Sequence, residues 1–229
     1  MKVTRAGGVG WRRASDVFAG VTGHPLVAAC SLARISDPRV LEAVASVPRA
    51  AFVPPERVAE AELDRPVPIP HGQVTTQPSL VARMVEALEL SGCERVLEIG
   101  TGYGWQSALL GRLAAEVWSL ERFDDLAKTA RANLARQGTT NVEVVVADGT
   151  KGLPAHAPYD AILVAAAFPR VPPPLAAQLV EEGRLVQPIG SGGDEDVVVF
   201  TRRDGVLSRI ATLTGARFVP LVGRHGFAA

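Results

Sequence analysis

Four runs of aliphatic and β-branched residues recur between residues 96 and 167, with helical patterns between them. Val96-Leu97-Glu98-Ile99, Glu116-Val117-Trp118-Ser119-Leu120, Asn141–Val146 and Tyr159–Ala167 each read as a strand, the last nearly all apolar, as in a parallel sheet buried on both faces. Gln106–Leu113 carries its apolar residues on one helical face. Phe123–Gln137 has Leu126, Ala130 and Leu134 at i, i+4 and i+8 with charges elsewhere, and Gly138 stands where a helix C-cap is wanted. Strand, helix, strand, helix, strand predicts a right-handed parallel α/β unit.

The flanks are patterned differently. Residues 1–23 show little periodicity and are expected to be a poorly ordered lead-in. Residues 24–90 read as helix, loop and helix. Asp37 as N-cap with Pro38 at the first position starts one helix, with Leu41, Val44 and Val47 on its apolar face; Pro48 and Pro54-Pro55 mark its end. Gln77-Pro78 starts another, with Leu80, Val81, Met84, Val85 and Leu88 at helical spacing. Pro66–Gln73 between them is excluded from a central strand by its prolines. Residues 91–229 hold the sheet; Val197–Arg202 and Val206–Leu213, separated by Arg203-Asp204-Gly205, predict a hairpin, and Phe218–Gly223 an extended terminus. The expected fold is α/β: a doubly wound, mostly parallel sheet of Rossmann-like type, with an N-terminal helical and loop extension and a C-terminal antiparallel β element.

Candidate chemistry gathers where strands end. Ligands of such sheets lie outside the carboxyl ends of the strands, and Gly100–Gly104, Glu121 and Asp148-Gly149 all fall there. Glycines at the turn let the backbone approach a ligand, and an acid at the next strand's tip can hydrogen-bond a ribose. A dinucleotide fingerprint wants Gly or Ala three residues after Gly102, where this chain has Trp105. The spacing Gly100-x-Gly102-x-Gly104 led by Glu98 is that of Rossmann-like S-adenosylmethionine-dependent methyltransferases, which disfavours a nicotinamide enzyme. Gly100, Thr101, Gly102, Tyr103 and Gly104 are expected to line the amino-acid end of S-adenosylmethionine. Glu121 is expected at its ribose and Asp148, with Gly149, at its adenine. Glu98 is either a direct contact or a structural partner of loop N–H groups.

Composition narrows the field without adding a site. Twenty-four basic and twenty-four acidic residues cancel, so no bulk drive toward nucleic acid or membrane is present. The two cysteines, Cys30 and Cys93, lack metal-ligand spacing, and no metal is expected. No secretory pattern or bilayer-length apolar run is visible, so the cytoplasm is the expected location, and a monomer the expected state.

These segments together resemble the protein-L-isoaspartate O-methyltransferases. Asp37–Leu41 with Val47–Pro54, Pro68-Ile69 with Gly72-Gln73-Val74-Thr75-Thr76-Gln77-Pro78, Val96–Gly104, Asp148-Gly149, Ala157–Ile162, Gln178-Leu179 with Gly183–Val186, and Arg217–Val222 fall in that family's order. The Gly72–Pro78 loop and Phe218–Val222 are its more specific marks. The resemblance implies methylation of the free α-carboxylate of L-isoaspartyl residues in damaged proteins or peptides, with S-adenosyl-L-homocysteine as the other product. It implies Thr76 as the catalytic residue, with Gln73, Val74, Thr75 and Thr76 also bordering the cofactor, and His71, Val219, Pro220 and Leu221 at the substrate. Thr76 stands where the family usually has serine, and Glu62 where it has an aromatic residue. These departures keep open a sibling enzyme acting on a normal aspartate of a dedicated peptide. A non-catalytic cofactor-binding module is the remaining alternative.

Overall fold

The computed structural model describes residues 23–228, so the lead-in expected over residues 1–23 falls outside the described residues except for Gly23. Chain order gives α1 (Pro25–Leu32), α2 (Pro38–Ser46), β1 (Val67–Ile69), β2 (Gln73–Thr75), α3 (Pro78–Glu86), β3 (Arg95–Ile99), α4 (Trp105–Leu113), β4 (Glu116–Glu121), α5 (Asp124–Arg136), β5 (Val142–Val146), β6 (Tyr159–Val164), α6 (Pro173–Gln178), β7 (Leu179–Ile189), β8 (Glu195–Arg203) and β9 (Val206–Ala216). Two short 3-10 turns, Arg49–Phe52 and Pro55–Glu60, link α2 to the β1–β2 ribbon.

Seven strands form one sheet in the order β5-β4-β3-β6-β7-β8-β9. The pairs from β5 to β7 are parallel; β7–β8 and β8–β9 are antiparallel. The reversal from β4 to β6 on either side of β3 opens a crevice at the strands' carboxyl ends. β1 and β2 form a separate antiparallel ribbon, consistent with the exclusion of its prolines from the main sheet.

The period of two divides the core. Val96, Ala161 and Leu163 pack with helices α1 to α5 on one face, while Leu97, Ile99, Ile162 and Val164 pack with Leu175, Leu221 and neighbours on the other. Helices start and stop where local chemistry dictates. Asp37 caps α2 by accepting from Arg39 N–H at 2.8 Å, and Glu86 at the end of α3 accepts from the N–H groups of Ser36 and Asp37 at 2.7 Å each. α5 buries Leu126, Ala130 and Leu134, and the chain leaves it through Gly138 at φ +67°.

The hairpin of β8 and β9 turns at Asp204-Gly205, both at positive φ, the backbone a tight hairpin requires. β9 is an edge strand, and its register with β8 slips at Val197/Val198 and again at Val199/Phe200. No described helix is long and apolar enough to cross a membrane.

Candidate active site

The glycine turn between β3 and α4 builds the floor of a cleft. Gly100, Gly102 and Gly104 have φ of +95°, +56° and +93°, a region side-chain-bearing residues rarely occupy. The turn is pinned from outside: Gly100 N–H donates to Leu120 O at 2.8 Å, and Asn133 of α5 donates to Tyr103 O at 3.0 Å. Gly149 enters from the end of β5; a Cβ there would lie 2.4 Å from Ile99 Cγ2, so only glycine brings this backbone against the floor.

Glu121, at the carboxyl end of β4, faces the cleft. Its Oε2 accepts from Gly102 N–H at 2.9 Å, and its Oε1 from the N–H groups of Arg122 and Phe123 at 2.8 and 3.1 Å. It therefore holds the glycine turn while presenting an anionic acceptor to the cleft. Glu98 sits beneath the same turn and does not line the cleft. It is fully buried, and accepts from Gln106 Nε2 at 2.8 Å, from Ser119 Oγ at 2.5 Å and from Ser107 Oγ. Its partners are thus side-chain donors of α4 and β4. Ser119 is also bonded to Thr101 Oγ1 at 2.5 Å, so the network reaches the cleft wall. Burial pushes the Glu98 carboxyl up to about 7, against the pull of its three donors.

Asp148 likewise lies outside the cleft lining. Its Oδ1 accepts from the Thr150 N–H and hydroxyl at 3.0 and 2.6 Å, and its Oδ2 from Arg224 N–H at 2.9 Å. Against the cost of burial, those N–H and hydroxyl donors hold its carboxyl below the ordinary range. Its observed partners fasten the C-terminal segment, and the neighbouring Gly149 is the one of the pair at the cleft.

The opposite wall is the β1–β2 ribbon and the residues after it. Ile69, Gln73, Val74, Thr75 and Thr76 line the cleft together with Gly100 to Gly104. His71, at the ribbon's tip, is turned away: its ring stacks on Phe123 at 4.1 Å between centroids, and its Nε2 lies 2.8 Å from an Asp125 carboxylate oxygen. That clasp ties the ribbon to the start of α5, over the cleft's rim. Thr76 does not cap α3, because Gln77 occupies the N-cap position and Asp64 does the capping. Asp64 accepts from Ser79 N–H and Ser79 Oγ, both at 2.8 Å, and from Gln77 Nε2 at 2.9 Å.

Behind this wall lies a residue that sequence reasoning left unassigned. Arg49 is 1% exposed. Its guanidinium donates to Ala61 O, Leu63 O, Arg65 O, Thr75 Oγ1 and Thr76 O, at 3.3, 3.1, 2.9, 2.9 and 3.3 Å. It also stands 5.6 Å from the Trp105 ring centroid. Burial lowers its ordinary value to about 10.

The third wall is the C-terminal segment. Ala167 N–H donates to Val219 O at 2.8 Å, and Leu221 N–H donates to Ala167 O at 2.7 Å. This short parallel bridge carries Val219, Pro220, Leu221 and Val222 to the cleft. A groove bordered by Leu32, Leu80 and Phe218 runs up to Val74, Thr76 and Val219, which it shares with the cleft. Glu62 lies outside both, half-exposed and 3.9 Å from His24 Nδ1. Among the described residues no cluster of three or more His, Cys, Asp or Glu is placed to hold a metal ion.

The glycine turn and Glu121 fit S-adenosylmethionine: the turn admits a ligand against bare backbone, and Glu121 offers an acceptor for ribose hydroxyls. Comparison with known proteins agrees. A family model described as Protein-L-isoaspartate(D-aspartate) O-methyltransferase matches residues 25–226. The chain is 51% identical over 193 residues to the protein-L-isoaspartate O-methyltransferase of Methanoregula boonei, covering 84% of this chain and 88% of that one. A solved protein-L-isoaspartate O-methyltransferase superposes with a TM-score of 0.77 at 29% identity, over 88% of this chain and 66% of that chain. A Plasmodium falciparum structure described as a beta-aspartate methyltransferase in complex with S-adenosyl-L-homocysteine shares the fold, with a TM-score of 0.72 at 22% identity, over 87% of this chain and 98% of that one.

Proposed function

The chain belongs to the protein-L-isoaspartate(D-aspartate) O-methyltransferase family, and from that premise we propose that it methylates the free α-carboxylate of L-isoaspartyl residues in proteins or peptides. The ester formed closes to a succinimide without further catalysis, and hydrolysis of that ring returns some normal aspartate. The observation that carries the reading is a single cleft lined by the glycine turn, Glu121, the Gln73–Thr76 segment and Val219–Leu221.

The chemistry asks little of acid–base residues. A carboxylate is already ionised at neutral pH, so no general base is needed to make the nucleophile. Gly100–Gly104 and Glu121 line the cleft and would hold S-adenosylmethionine, which would supply a methyl group on a sulfonium with a neutral sulfide as leaving group. The protein's part is to orient the carboxylate and exclude water. Thr76 lines the cleft, and its hydroxyl is not engaged in capping α3, which supports a role in orienting the substrate carboxylate. Ile69 and Val74 supply apolar cover from the ribbon. The Val219–Leu221 backbone is already extended and strand-paired on its Ala167 side, which supports recognition of an extended peptide beside it.

A methyl-transfer assay with an isoaspartyl peptide and its normal aspartyl twin tests this. Transfer to the isoaspartyl peptide alone is expected. Equal transfer to both, or transfer to the aspartyl twin alone, would replace the reading with that of a sibling enzyme acting on normal aspartate.

A further inference from the structure

We infer that Arg49 is a positioning residue for methyl transfer: its buried guanidinium sets the Thr75-Thr76 segment and thereby aims the Thr76 hydroxyl into the cleft. The inference rests on the reading of this cleft as the site of isoaspartyl methylation. A buried cation with no carboxylate in contact is unusual, since charges are seldom removed from water unless paired. Arg49 is instead surrounded by acceptors: three carbonyls of the 61–65 segment, the Thr75 hydroxyl and the Thr76 carbonyl.

The division of its two terminal nitrogens gives the geometry meaning. Nη1 donates only to Ala61 O and Leu63 O, within the turn after the second 3-10 helix. Nη2 donates to Arg65 O, Thr75 Oγ1 and Thr76 O. One planar group therefore locks the cleft wall to a turn ten or more residues earlier in the chain. A guanidinium is a rigid fork, whereas an ammonium is a compact charge on a flexible stem that cannot span both sets. Trp105, which lines the cleft and donates Nε1–H to Val47 O at 3.1 Å, packs beside the guanidinium. The Arg49 anchor is thereby coupled to the first residue of α4, directly after the glycine turn.

The residue does not line the cleft, so it acts through Thr75 and Thr76. Only Thr76 Oγ1 is free of this network: Arg49 holds the Thr75 side chain and the Thr76 main chain, which leaves the second hydroxyl as the one to meet a substrate.

The test uses full-length Arg49→Lys, Thr75→Val and Thr75→Ser, assayed for turnover on an isoaspartyl peptide, for S-adenosyl-L-homocysteine affinity and for thermal unfolding. Turnover of Thr75→Val is expected to fall about tenfold or more, with cofactor affinity within about threefold of the parent. Thr75→Ser, which keeps the hydroxyl that Arg49 holds, should restore most of the rate. Folded Arg49→Lys should show the same loss, and adding Thr76→Val to it should cost far less than Thr76→Val costs in the parent, because the hydroxyl is no longer aimed. If Arg49→Lys does not unfold cooperatively, the Thr75 pair decides alone. Parental turnover in Thr75→Val, failure of Thr75→Ser to restore the rate, or additive losses in the double variant would overturn the inference. Failure of the parent protein to methylate any isoaspartyl peptide would instead overturn the reading of the cleft.

Discussion

Replacing Glu98 by glutamine tests whether burial or hydrogen bonding governs the carboxyl beneath the glycine turn. Three donors, Gln106, Ser107 and Ser119, favour the anion, while complete burial and nearby Glu121 favour the acid; burial is the largest influence, and the carboxyl titrates at about 7 in place of 4.5. With the folded value raised, the native state binds the proton more tightly than the unfolded chain. The contribution to stability is therefore fully present below pH 4.5 and is lost as pH rises through 7. The separation of the two values, at about 1.4 kcal/mol per unit, corresponds to about 3 kcal/mol. Glu98→Gln cannot titrate, so it lacks this loss. Its amide group must face one of the three donors, which lowers stability by an amount independent of pH. Urea unfolding of both proteins from pH 4.5 to pH 8 should thus give a stability difference that moves in favour of the glutamine variant by about 3 kcal/mol across the window. A difference that stays flat would mean that the donors keep the carboxyl ionised throughout, and the argument from burial would be wrong.

Two further outcomes follow from the cleft. Thr76→Val should lower turnover on an isoaspartyl peptide by about ten- to a thousand-fold, the scale of losing one orienting hydrogen bond in a water-poor site. Thr76→Ser should keep most activity, and both should melt with the parent because Asp64 caps α3; an unchanged rate for folded Thr76→Val would remove this residue from the mechanism. Glu121→Ala should weaken S-adenosyl-L-homocysteine binding by roughly 1–3 kcal/mol in a calorimetric titration, from the acceptor lost to the ligand and the backbone donors of Gly102, Arg122 and Phe123 left without it. Parental affinity would show that the carboxylate serves the loop alone.

Strand ends and helix starts were legible because single residues announce them: Asp37-Pro38, Gln77-Pro78, Gly138 and Asp204-Gly205 each act through local backbone chemistry. β7 was not legible as a strand. Leu179–Ile189 is interrupted by Glu181, Glu182 at φ +59°, Gly183 and Pro188, and its pairing with β6 is itself irregular; only neighbours on both sides make it a strand. The same limit applies inside the site. The position of Asp148 at a strand end could be read, but the direction of its carboxylate is set by Thr150 and Arg224, the latter far along the chain. His71 could be placed next to the loop, whereas its stacking on Phe123 depends on how the ribbon folds over α5. Arg49 was hidden for a different reason. Arginine is ordinarily a surface residue, and the acceptors that make its burial tolerable come from two separate stretches of chain, 61–65 and 75–76.

The irregular outer strand has a bearing on solubility. A long, flat, open sheet edge is a template on which free strands of other chains dock. β9 presents such an edge, with Val206 and Ile210 exposed along it. The two slips of register against β8, together with Arg209 paired to Asp196 at 3.4 Å, bend and charge this border so that a straight strand cannot follow it. Unwanted templating is thereby resisted at that far rim, on the side of the sheet away from β3 and the glycine turn.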